Sequence, residues 1–139
     1  MKRISNMPYA TEMVWDGGES ATGLSASGKA LKVGDRADWG PEQLMLLAAE
    51  SSFMDSYLAA ARDAHLQILG YVSSAHLEIP DGSVTAPRVT LRPCVVVASA
   101  RDAEHAARIL HIATGRSILA RLLGDQLFVS IDVQLETAS

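Results

Sequence analysis

The chain has 139 residues, of which 48% are hydrophobic and 20% charged, enough for one domain with a substantial core and too apolar for a disordered chain. Its net charge of -4 gives no electrostatic reason to expect nucleic acid or an anionic membrane as partner, and no apolar run approaches the ~20 residues of a membrane span. A single cysteine excludes a disulfide within the chain and a cysteine-rich zinc site.

Lys2 and Arg3 have no apolar stretch behind them, so no secretory leader is expected and the cytoplasm is the expected compartment. Tyr9, Thr11, Met13 and Trp15 alternate with Ala10, Glu12, Val14 and Asp16, the pattern of a strand, and Gly17-Gly18 supplies a turn. A second strand is expected from Glu19 to Ala26, ending at Ser27-Gly28. A third runs from Lys29 to Val33 and closes at Gly34-Asp35. Together they predict an antiparallel meander.

Gly40-Pro41-Glu42-Gln43 then reads as a helix start. Proline suits the first helical position, where its missing N–H is not needed, and Trp39 is placed to staple onto Leu44. No breaker follows until Gly70, which predicts a helix from Pro41 to about Ala64. At ~1.5 Å per residue it is about 36 Å long, enough to cross a compact chain whose radius of gyration is ~14 Å. Its apolar stripe holds Leu46, Leu47, Phe53, Met54, Tyr57, Leu58 and Ala61. The other side carries Met45, Ala48, Ala49, Ala59 and Ala60 among Ser52, Ser56 and Asp63. A helix apolar beyond one stripe is covered on more than one side, which points to a partner subunit.

Two longer strands follow. Tyr71, Ser73, Ala75, Leu77 and Ile79 alternate with Val72, Ser74, His76 and Glu78 up to the Pro80-Asp81-Gly82 turn. Val89, Leu91, Val95 and Val97 then share a face across Pro93, which suggests an edge position or a bulge. Asp102 to Thr114 reads as a helix broken by Gly115. Ser117 is placed to cap a short helix, Ile118 to Leu123, that Gly124 terminates. A last strand places Leu127, Val129, Ile131, Val133 and Leu135 inward.

Cys94 has two readings, a reactive thiol or a buried structural residue. No nearby histidine, lysine or helix N-terminus lowers its pKa, which favours the structural one. Glu50 falls within the apolar stripe, between Leu46 and Met54. A carboxylate there is ion-paired with a residue such as Arg62 or Arg88, raised in pKa, or exposed at a pocket. His65, His76, His105 and His111 show no metal-ligand spacing, so no metal is expected. Ser52 and Ser117 lack the glycines of a nucleophile elbow.

Six segments stand in an order that resembles the OsmC and Ohr proteins over nearly the whole chain. They are Trp15-Asp16-Gly17-Gly18, Gly40-Pro41-Glu42-Gln43-Leu44, the alanine-rich helix reaching Phe53, Arg88-Val89-Thr90-Leu91-Arg92-Pro93, Asp102-Ala103-Glu104-His105-Ala106, and Ser117-Ile118-Leu119-Ala120-Arg121-Leu122-Leu123. The resemblance implies an α+β fold and a single OsmC-like domain over residues 1–139. It also implies antiparallel sheets wrapped around long central helices in an intertwined homodimer, with pockets at the subunit interface. Members typically reduce organic hydroperoxides with two cysteines and a dithiol reductant. One cysteine precedes a phenylalanine of the central helix; the other opens a Cys-Pro-Ile/Val-Ser motif at a helix start.

On this resemblance Ser52 and Ser117 match the two redox-cysteine positions, and Glu42 matches the family's helix-start glutamate. The arginine of the hydroperoxide-specialised members has no counterpart between Arg3 and Arg36. A serine hydroxyl has neither the accessible pKa nor the nucleophilicity of a thiol, so family-type thiol peroxidase activity is expected to be absent. The expected function is a non-peroxidatic dimer, related to oxidative stress defence, that binds a small hydrophobic ligand at its interface pocket. Glu50, Ser52, Phe53 and Tyr57 are its candidate lining; no cofactor, nucleic acid or membrane is expected. The alternatives are an enzyme of different chemistry using Glu50 as acid or base, and a structural or regulatory partner of a cysteine-bearing relative.

Overall fold

The computed structural model describes residues 9–34, 39–80 and 86–137. Met1 to Pro8, Asp35, Arg36, Asp81 and Gly82, on which some of these expectations fall, lie outside the described residues. The chain divides into two compact units, Met1–Met45 and Leu46–Ser139.

In the first unit, β1 (Thr11–Trp15), β2 (Ser20–Ser25) and β3 (Ala30–Gly34) form the expected antiparallel meander. The register pairs Met13 with Gly23 and Gly23 with Leu31, so these three cross the sheet in one line. The Trp15 indole N–H donates to the Gly18 carbonyl at 2.8 Å and closes the first turn. Gly34 is required where β3 ends. Its φ is +128°, and a Cβ there would meet the Glu19 carbonyl oxygen at 2.5 Å.

Helix α1 (Pro41–Asp63) starts in the first unit and continues into the second. Its buried residues are Ala49, Phe53, Tyr57, Ala60 and Ala61. Phe53, Tyr57 and Ala61 of the expected stripe are thus buried, whereas Leu47 is exposed and Ala49 and Ala60, small enough for close approach, lie inside as well. Phe53 stacks on Tyr57, and Tyr57 packs against Tyr71 with ring centroids 6.1 Å apart. The Tyr57 hydroxyl donates to the Ala106 carbonyl at 2.8 Å, tying α1 to the next helix. The helix ends through His65 in the left-handed region at φ 56°. Leu66 N–H donates to the Ala61 carbonyl and His65 N–H to the Arg62 carbonyl, the two bonds of a Schellman motif.

The second sheet is mixed rather than antiparallel throughout. Strands β4 (Gly70–Glu78) and β5 (Arg88–Val97) are antiparallel, whereas β6 (Leu127–Val129) and β7 (Asp132–Leu135) both run parallel to β5. Val89, Leu91, Pro93, Val95 and Val97 of β5 point into the core. Burying each such valine or leucine side chain contributes about 1.5–3 kcal/mol.

Two expectations are corrected here by one cause. Pro93 is not on an edge, because β5 lies between β4 and the β6/β7 side. The last strand is not continuous but breaks at Ser130 and Ile131. The Leu91 and Val97 carbonyls both accept bonds from the β6/β7 side, from Ser130 N–H and Glu136 N–H. Pro93, in phase with both, turns its nitrogen to that same side and has no N–H to offer. The parallel ladder stops at Leu91 and resumes at Cys94, and the proline occupies the gap.

Between β5 and β6 the expected single helix is two. Helix α2 (Ala100–Arg108) is capped by Ser99, whose hydroxyl accepts from Asp102 N–H, and α3 (Leu110–Arg116) follows after Ile109. Gly115 does not break the second of these; it lies inside it. Helix α4 (Ile118–Leu123) is capped by Ser117 and stops at Gly124, as its sequence indicates.

Candidate functional site: a hydroxyl pair and a carboxylate

Ser52 lies on α1, and Ser117 lies between α3 and α4. Sixty-five residues apart in sequence, their hydroxyl oxygens are 2.8 Å apart. Ser117 is 1% exposed; Ser52 is partly exposed. The Ser117 oxygen accepts from Ala120 N–H at 3.2 Å, as a helix cap, and the Ser52 oxygen accepts from Leu119 N–H at 3.3 Å.

These bonds decide where the hydroxyl protons go. Each serine has one proton. If Ser52 donated to Ser117, the Ser117 proton would be buried without an acceptor, at a cost of about 1–3 kcal/mol. The favourable arrangement has Ser117 donating to Ser52. Ser52 then accepts two hydrogen bonds, and its own proton remains for a group outside the pair. Accepting two bonds polarises that O–H and makes it a better donor.

Glu50 belongs to a second cluster. Its Oε1 accepts from the Ser73 hydroxyl of β4 at 2.7 Å. Neither Arg62 nor Arg88 pairs with it: Arg88 instead lies over the Phe128 ring, 4.1 Å from its centroid. Tyr71, two residues before Ser73 on the same strand face, has a hydroxyl that is fully buried without a hydrogen-bond partner among the described residues. Burial first, then the neighbouring Tyr57 and the Glu50 charge, raise the pKa of Tyr71. Burial alone pushes Tyr57 up to about 12. Phe53 and Tyr57 are closed core residues rather than an open lining, at 1% and 0% exposure.

Glu42 joins neither cluster. It is exposed in the first turn of α1 and forms no hydrogen bond or ion pair among the described residues. Cys94 is partly exposed rather than in the core, with Sγ 3.8 Å from Asp132 Oδ2. Desolvation first, then the Asp132 charge and its hydrogen bond, raise the thiol pKa, so the reactive thiolate is disfavoured. Among the described residues no group of three or more His, Cys, Asp and Glu side chains could hold a metal ion.

Sequence reasoning missed Ser73, Tyr71 and Asp132 as partners. The signal for Ser73 was present, a hydroxyl at an inward position between Tyr71 and Ala75. Asp132 became visible only with the register that sets it beside Cys94.

No protein-family model matches the sequence, and no curated protein matches it. Solved structures do match. An OsmC-like protein of unknown function from Vibrio cholerae is 16% identical, with a TM-score of 0.76 over 90% of this chain and 99% of that one. An OsmC-like protein from Mycoplasma pneumoniae is 14% identical, with a TM-score of 0.74 over 95% and 99%. The organic hydroperoxide resistance protein OhrB of Bacillus subtilis is 15% identical, with a TM-score of 0.65 over 91% and 98%. Identities this low establish the fold and do not carry residue roles across.

The functional reading from sequence is accordingly corrected. It placed serine at both redox-cysteine positions and concluded a non-peroxidatic binder of a hydrophobic ligand. The chain holds one cysteine in all, Cys94, and no aligned pair of redox positions is established against which two exchanges could be counted. What stands is a single-thiol chain, which cannot close a two-cysteine cycle within itself. Among the described residues no helix is long and apolar enough to cross a membrane. The chain has the α+β fold of the OsmC and Ohr proteins and is a divergent, cysteine-poor example of it.

Proposed function

We propose that this chain is one OsmC-like domain of a cytoplasmic homodimer, without family-type thiol peroxidase activity. In this reading the Ser52 hydroxyl donates a hydrogen bond to an acceptor oxygen of a small molecule. The observation that carries it is the 2.8 Å contact between Ser52 and Ser117. With the buried Ser117 donating inward, Ser52 is left as a polarised donor on the partly exposed side. A carbonyl or carboxylate oxygen complements such a donor.

The chemistry supports the negative half of the reading. A hydroperoxide is reduced by a thiolate, which becomes a sulfenic acid and then a disulfide. Cys94 is held as a thiol beside Asp132, with no second cysteine in the chain to resolve it. A chain with one unpaired thiol suits a reducing compartment. Support for a homodimer comes from large apolar side chains left in the open: Met13 is 67% exposed, Trp15 70% and Val72 72%.

Two measurements test the proposal. Cumene hydroperoxide should be consumed in the presence of dihydrolipoamide or dithiothreitol no faster than without protein. Turnover above that control, abolished by Cys94→Ser, would overturn it. A native mass spectrum of freshly purified protein should show the dimer mass and, if a small molecule is retained, its loss in Ser52→Ala; a monomer removes the assembly from the reading.

A further inference from the structure

Glu50 is a partly buried carboxylate that pairs with no cation among the described residues. Its one hydrogen-bond partner among the described residues is Ser73, through Oε1, which fixes the carboxylate orientation and leaves Oε2 without a bond. A charge held partly out of water without a counter-charge is unfavourable unless something pairs with it. The same face of β4 shows a second unmet demand. Tyr71 and Ser73 stand two apart on it, the Glu50 charge acts on Tyr71, and the Tyr71 hydroxyl is buried with no hydrogen-bond partner among the described residues. An orphaned buried hydroxyl asks for a partner of its own.

We propose that Glu50, Ser73 and Tyr71 form a binding site for an organic ammonium group, the head of a primary alkylamine. An ammonium carries three N–H donors and one positive charge. One donor meets Glu50 Oε2 in a charge-assisted bond, and a second meets a lone pair of the Tyr71 hydroxyl. The Tyr71 ring, which packs against Tyr57, adds an aromatic wall of the kind that favours alkylammonium groups. The carboxylate sits on a helix and the two hydroxyls on a strand, so the set is pre-ordered.

Other occupants fit less well. A divalent cation lacks donors, since no group of three potential ligands is present among the described residues. An anion is repelled by Glu50. A water molecule satisfies the Tyr71 hydroxyl and leaves the charge unanswered. This site is separate from the Ser52 hydroxyl and is tested independently of it.

The test uses n-butylammonium chloride as probe and n-butanol as its neutral counterpart, followed by NMR titration of the whole protein. Saturable shifts are expected at Glu50, Tyr71 and Ser73 with the ammonium salt and not with the alcohol. Glu50→Gln keeps the shape and removes the charge, and should weaken binding at least about fivefold, as loss of a charge-assisted bond requires. A smaller loss overturns the proposal. So does equal binding of n-butanol, or no saturable shift in the unaltered protein, and these two readouts stand even if Glu50→Gln does not fold.

Discussion

At the contact between Ser52 and Ser117 the two alanine substitutions are not equivalent. Ser117 caps α4 and is 1% exposed, whereas Ser52 keeps an open side. Ser117→Ala removes the acceptor for Ala120 N–H and the donor for Ser52 together, and is expected to cost about 1–2 kcal/mol. Ser52→Ala removes the acceptor of both the Ser117 hydroxyl and Leu119 N–H and leaves the buried Ser117 proton without a partner, and should cost about 1–3 kcal/mol. Urea unfolding of both variants and of the double variant checks this, the cycle isolating the hydroxyl–hydroxyl term. A loss from Ser52→Ala below about 1 kcal/mol would place the shared proton the other way round. Cys94 supplies a second test at this scale. Its pKa is raised by desolvation, by the Asp132 charge and by the hydrogen bond to Asp132. Asp132→Asn removes the charge, so the thiol pKa falls back toward its ordinary value and more thiolate is present at neutral pH. Alkylation by iodoacetamide at about pH 7.5 should therefore be faster in the variant than in the parent. An unchanged rate would mean that desolvation alone holds the thiol.

Among the elements, α1 ends at a residue poorly suited to its conformation. His65 adopts φ 56°, a region that disfavours side chains with a Cβ, while the Schellman bonds around it demand that geometry. His65→Gly is expected to stabilise the protein by about 1 kcal/mol, part of it offset by the greater freedom of glycine in the unfolded chain. A rise of about 2–4 °C in the melting midpoint is the corresponding readout. This cap was not legible in the sequence, because the residue supplying it is neither glycine nor asparagine. The start of α1 was legible, since Gly40-Pro41 states it in residues whose chemistry has one reading there. The same contrast runs through the C-terminal half. Ser117 and Gly124 bound α4 where their capping chemistry says they should. The unbroken alternation from Leu127 to Leu135 reads as one strand, yet its pairing is interrupted by Pro93, 34 positions before Leu127. Local periodicity carries no information about the neighbour a strand will lean on. The hydroxyl pair was approached through resemblance, and its proton arrangement required the burial of Ser117. The partner of Glu50 lies on another element altogether.

For the molecule as a whole, the tyrosine hydroxyls join stability to pH on the alkaline side. Tyr57 is closed from solvent, donates to the Ala106 carbonyl, and has its pKa pushed up to about 12 by burial. Tyr71 is raised as well, by burial and then by Tyr57 and Glu50. In the unfolded chain both titrate near the ordinary value of about 10. Below that value both states hold the phenolic protons and the contribution to stability is complete. Above it the unfolded chain gives them up while the folded chain keeps them, so the unfolded state is favoured progressively as pH rises from about 10 toward 12. Urea midpoints taken between about pH 9 and about pH 11.5 should therefore decline across this window. Tyr57→Phe should be less stable than the parent at about pH 9, by about 1 kcal/mol, because the Ala106 carbonyl loses its donor. It should nevertheless decline less steeply, since one of the two raised hydroxyls is gone and Tyr71 loses the neighbour that helps to raise it. The two curves converge as pH rises. Parallel curves would show that the Tyr57 hydroxyl does not carry the alkaline loss.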